Sequence, residues 1–130
     1  MAVPITALYL AVFAVFSVVL ALGCGVIRGR EGISIGDGGR ADLHLAMRRH
    51  GNFIENVPFL MIMFAALELN GASAGLLHGL GITLVVARAL HALGLKADSI
   101  QSIPRAIGAG LTILITLVAA GSLAWQFFGG

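Results

Sequence analysis

The chain has 130 residues, 58% of them hydrophobic and 11% charged, with a formal net charge of +2. Soluble domains carry about 25% charged residues, so the composition excludes an ordinary water-soluble domain. The single cysteine, Cys24, excludes an internal disulfide and a CxxC redox pair, and the lack of a basic run with interleaved aromatics excludes nucleic acid as a partner.

A spanning helix needs roughly 20 apolar residues. The chain holds four such runs and little else, which predicts one all-α membrane domain over residues 1–130, a four-helix transmembrane bundle. No charged side chain occurs between Met1 and Arg28, so the first span is placed at about 4–27. This run is longer than the roughly 7–15 apolar residues of a secretory signal and has no basic segment before it, so it reads as a retained helix. "RGREGISIGDGGRAD" follows as an exposed loop with a turn at Asp37-Gly38-Gly39. The second span, about 42–69, is amphipathic early and apolar late. "NGAS" is a turn with Ser73 as candidate N-cap, and the third span, about 74–94, ends at Gly94. "LKADSIQSIP" is a second polar loop. The fourth span, about 104–127, opens on Pro104, a residue suited to a first turn. Glycines recur in the last two spans, and Gly75 to Gly79 forms a small-xxx-small pattern of the kind that lets helices approach in lipid.

The eight basic residues all fall in or beside the first and third loops. The positive-inside rule then puts both termini outside and loops one and three in the cytoplasm of a multi-pass inner-membrane protein. Trp125, Phe127 and Phe128 are expected to sit at the outer interface. Tyr9 has no assigned level.

The stretch "RRHGNFIENVPF", Arg48 to Phe59, concentrates polar groups inside the second span. Arg48, Asn52 and Glu55 are spaced four and three apart, so they share a helix face about 60° wide, which Phe59 continues. Glu55 lies about 10 Å along the axis from Arg48. A carboxylate at that depth normally faces a bundle interior or a wet cavity. Arg88 and His91 form a second polar pair, and Arg105 opens the fourth span. Arginine forks suit carboxylates, a buried carboxylate suits an ammonium, and an asparagine suits a peptide group. The set fits a small zwitterion with more than one carboxylate. Simpler readings stand beside this one. Arg49 reads as a topology signal, Arg48 and Glu55 could form an internal ion pair, and Pro58 could kink the helix. His78 and His91 are 13 apart, but His44 and His50 are six apart and give no matching pair for stacked haems. No zinc spacing occurs, so no metal site is expected.

These residues resemble the signature of the MAPEG family, the membrane-associated proteins of eicosanoid and glutathione metabolism. The match runs through Arg48, His50, Asn52, Glu55 and Pro58, then "RALHALGL" from Arg88 and "PRAIGAGLT" from Pro104. "GDGG" followed by "RRHGNFIEN" is most similar to the small bacterial branch. The resemblance implies a homotrimer of four-helix subunits that binds glutathione between neighbours as co-substrate. It would transfer the thiol to a lipophilic small-molecule substrate or reduce lipid hydroperoxides. By position it implies cofactor-binding roles for Arg28 (with Arg30 as the alternative), Arg48, His50, Asn52, Glu55, Arg88 and His91, and a catalytic, thiolate-stabilising role for Arg105. Two family tyrosines are replaced here, by Leu95 and Asn56. The competing reading is a non-catalytic protein of the same fold that uses the polar face for assembly or ligand binding.

Overall fold

The computed structural model describes residues 2–96 and 102–129. Among these, four helices follow one another: α1 (Pro4–Glu31), α2 (Ala41–Leu69), α3 (Ala74–Gly94) and α4 (Ile103–Gly129). Each is long and apolar enough to cross a bilayer. The starts of α2 and α3 fall where the sequence predicts. Helix α1 runs four residues further than predicted, because nothing ends it until Gly32 adopts a left-handed conformation at φ 68° and returns its N–H to the Arg28 carbonyl. Ser73 caps α3 by accepting from the Leu76 N–H. Helix α2 continues unbroken through Pro58.

Around the bundle the helices come in the order α1–α2–α4–α3. The consecutive helices α2 and α3 meet only across the diagonal, and α1 does not pack against α4. The core between them is apolar. Phe64, Leu60, Leu67, Leu77, Leu84 and Ile115 are almost fully buried. Phe53 stacks on Phe16 with ring centroids 5.5 Å apart.

Two glycines make the closest helix contacts. A Cβ on Gly108 would lie 2.5 Å from the Ala87 carbonyl oxygen and 2.6 Å from the His91 amide nitrogen, so α3 and α4 touch backbone to backbone there. Gly81 receives the face of the Tyr9 ring. Gly75 and Gly79, the pair singled out by spacing, have nothing within 4 Å and take no part in packing inside the chain.

At the end of the bundle away from loop one, Glu68 near the end of α2 caps α1. Its two carboxylate oxygens accept from the Ile5 and Thr6 amides at 2.9 and 2.8 Å. This satisfies two of the donors that every helix leaves unpaired at its start and places negative charge at the positive end of the helix dipole. Tyr9, which the sequence left unassigned, lies near the same end with its hydroxyl 3.1 Å from His78 Nδ1. Glu68→Ala is expected to lower the thermal unfolding midpoint in detergent, with Glu68→Gln in between because it keeps one acceptor. Equal midpoints for all three proteins would remove this cap from the account.

Candidate functional site

The loop-one end of the bundle holds a cavity of about 460 Å³. One wall is loop one and the start of α2, with Asp37, Arg40, His44, Arg48 and Asn52. The other is the end of α3 and the start of α4, with His91, Leu95, Lys96 and Arg105. Four residues proposed from the sequence, Arg48, Asn52, His91 and Arg105, are thus brought together from three helices.

The charge balance of this cavity is set by local pairing. Arg40 is engaged by acidic residues, donating to Glu31 and, through two nitrogens, to Asp42. Among the described residues, Asp37 is the one acidic residue in the lining. The Gly39 amide, and next His44, hold its carboxyl below the usual carboxylate range; the His44 Nδ1 is 2.7 Å from it. Among the described residues, Arg48 and Lys96 therefore give the interior positive charge suited to an anionic ligand, and Arg105 shares the lining with them.

Arg88 is 3% exposed and donates to the Asn52 side-chain oxygen at 2.9 Å. It fixes the amide of Asn52 and lines a second cavity rather than the first. That second cavity, about 350 Å³, runs along α4 past Ala109, Thr112, Ile113, Thr116 and Leu117. Asn52 and His91 line both cavities and form the boundary between them. Asn56, in a position where the family resemblance suggested a tyrosine, donates to the Asn52 carbonyl at 2.8 Å and lines the second cavity.

Arg28, His50 and Glu55 line neither cavity of their own chain. Arg28 donates to the carbonyls of Ile33 and Ser34, so its guanidinium holds loop one in place. Arg30, the alternative, is exposed and bonded to Glu31. His50 is half-buried. Glu55 is exposed on the outer face of α2 beside Ile54, Phe59 and Ile62. The 60° fan of the polar face explains the split. Phe53, Val57 and Leu60 mark the inward side of α2; at 100° per residue, Asn52 stands at the edge of the fan nearer to them and Glu55 at the far edge. No ion pair joins Arg48 to Glu55 among the described residues. Arg49, read from the sequence as a topology signal, instead donates to the Leu95 carbonyl at 2.8 Å and ties α2 to the open end of α3.

Fold and site together define a class: a four-span helical membrane protein with a cationic cavity at one end that adjoins a cavity along a spanning helix. The chain belongs to the MAPEG family, whose sequence profile matches residues 6–125. It is 31% identical over 90 residues to the inner membrane protein YecN of Escherichia coli strain K12, a match covering 69% of each chain. The protein of that name from a second E. coli strain, O6:H1, matches to the same extent. No solved structure matches the chain.

Proposed function

We propose that the chain is an inner-membrane thiol transferase or peroxidase, using glutathione or a related thiol against lipophilic electrophiles or lipid hydroperoxides. The observation that carries this reading is the pair of adjoining cavities. The cationic one suits a thiol bearing carboxylates. The one along α4 has rims at Ile113 and Leu117, both largely exposed, and suits an apolar acceptor arriving from lipid. Arg105 stabilises the thiolate, Arg48 and Asn52 hold the peptide and carboxylate groups, and Arg88 positions Asn52. The relatives named as inner membrane proteins support the compartment. The one-sided arginine distribution supports outward termini and cytoplasmic loops one and three.

The functional unit is a homotrimer. Glu55 exposes a carboxylate in a spanning helix among Phe59 and Ile62, and such a group is costly against lipid. A neighbouring copy covers it, and brings that copy's Arg28 and His50 within range of the shared site. The exposed Glu55 and the missing tyrosine at Leu95 also favour the second reading, a protein that uses this face for assembly alone.

The test is thermal unfolding of the purified protein with and without glutathione, together with conjugation of chlorodinitrobenzene. Ligand at about 100 times its Kd adds roughly 2.7 kcal/mol of apparent stability, so a raised midpoint with turnover is expected. An unmoved midpoint without turnover, with a trimer that Glu55→Gln dissociates, would establish the assembly reading instead.

A further inference from the structure

The end of the bundle away from loop one carries two further cavities, of about 550 and 380 Å³, which thiol transfer leaves unused. Trp125 and Gln126 line both. The larger is bounded by Asn70 at the α2–α3 turn and by the last turn of α4. The smaller continues along α4 past Gly121 and Val118, against Leu76 of α3. Val118 stands eight residues before Gln126, about 12 Å along the axis. Trp125, Phe127 and Phe128 are strongly exposed, and aromatic residues so placed sit at the headgroup level of a bilayer. The two cavities thus form one groove that runs from headgroup level into the acyl region.

The charge of the groove is set by two helix ends. Helices α2 and α4 both finish here, and neither has a basic residue in its last turn, whereas α1 ends on Arg28 and Arg30. The negative ends of two helix dipoles therefore converge on a lining that has no charged side chain among the described residues. Glu68 is the one Asp, Glu, Lys or Arg that the sequence places in this half of the bundle, and it is engaged by the start of α1. The hydrogen-bonding groups are biased the same way. The carbonyls of Leu67 and Asn70 receive Gln126 Nε2 only at 3.4 and 3.5 Å, longer than the usual range. The Gln126 Oε1 is buried with no partner among the described residues, while the Ser122 hydroxyl is already returned to the Val118 carbonyl. Acceptors outnumber donors, so the groove calls for a donor that carries positive charge.

We infer that this groove binds one bilayer phospholipid with a primary ammonium headgroup, of the phosphatidylethanolamine type. The ammonium donates to the carbonyls that close α2, and the weakly held Gln126 amide turns its oxygen toward it. An acyl chain lies along Leu76, Val118 and Gly121, where a Cβ on the glycine would meet nothing within 4 Å. The helix ends disfavour a lipid of net negative charge, such as phosphatidylglycerol. Phosphatidylcholine has the positive charge but no N–H to donate.

Trp125 is the one tryptophan of the chain and lines both cavities, so its fluorescence reports on the groove directly. The protein is placed in bilayer nanodiscs of equal parts phosphatidylethanolamine, phosphatidylglycerol and phosphatidylcholine. Only the lipid that carries quenching, brominated acyl chains changes between samples. Brominated phosphatidylethanolamine is expected to quench most, with an occupancy preference of about two- to fivefold, what one charge at a helix end supplies. Gln126→Leu removes an acceptor and Gly121→Leu fills the groove, and each is expected to abolish the preference. Gly110→Leu, at an equally open site on α4, keeps it. Equal quenching by the three lipids, or a preference for either of the others, overturns the inference. A preference that survives both groove substitutions overturns it as well, since the groove's own residues then do not make it. Should the variants fail to fold, the wild-type comparison of the three lipids decides. None of these outcomes bears on thiol transfer, which has its own test.

Discussion

Gly108→Ala is expected to destabilise the bundle by about 1–3 kcal/mol, the usual cost of overpacking a filled site. The new Cβ would stand 2.5 Å from the Ala87 carbonyl oxygen and 2.6 Å from the His91 amide nitrogen. Both are backbone atoms of α3 and cannot swing aside as a side chain could, so relief requires α3 and α4 to separate. Alanine returns up to about 1 kcal/mol through its better helix propensity, which leaves a net loss. Gly108→Leu should exceed it and prevent a stable fold. Gly110→Ala is the internal control: nothing lies within 4 Å of that site, so propensity alone acts and stability should hold or rise. The measurement is the thermal midpoint of each variant in one detergent. Gly108→Ala matching Gly110→Ala would mean that the α3–α4 contact is looser than its geometry. Activity should fall with stability at Gly108, because this contact sets His91 on α3 against Arg105 on α4.

The same glycines mark the limit of what the sequence discloses. Four spans, their order and most of their bounds follow from apolar run length, because in lipid a helix satisfies its own backbone. The polar face of α2 follows from spacing, because helical period is local. Which edge of that face turns inward does not: Asn52 meets Arg88 of α3 while Glu55 faces outward, and the apolar Ile54, Phe59 and Ile62 on the outer side look in sequence like the apolar Phe53, Val57 and Leu60 on the inner one. The packing glycines are equally opaque. Gly75–Gly79 has the spacing of a contact pair and makes none within the chain, while Gly81 and Gly108, in no recognised pattern, meet Tyr9 and α3. The Glu68 cap joins residues more than 60 positions apart and exists because α1 and α2 are neighbours in the ring. Arg49 shows a related limit. The count of arginines on one side is a sequence property, but a count cannot separate a guanidinium left in the headgroup region from one bonded to Leu95.

Arg105→Ala is expected to lower the glutathione conjugation rate at pH 7 by tenfold to a hundredfold, on the order of what ionisation and placement together supply. A thiol with a pKa near 8.5 is only about 3% ionised at that pH, so full ionisation beside a cation gains roughly thirtyfold. Part of this is returned, because a less basic thiolate is a weaker nucleophile, with a Brønsted slope of about 0.4–0.5. The remainder comes from holding the sulfur in the cavity that Arg105 shares with Arg48, Asn52 and His91. The two contributions separate with pH. A cation depresses the thiol pKa, so the wild-type rate should be nearly flat from pH 7 upward. The variant's rate should climb until the pH passes the ordinary thiol range, and then stop short of wild type by the placement share. Arg105→Lys keeps a charge but not the planar fork, so it should recover the flat pH profile and only part of the rate. A variant that tracks wild type at every pH would remove Arg105 from the chemistry. One that is slower by a constant factor at every pH would assign it to placement alone.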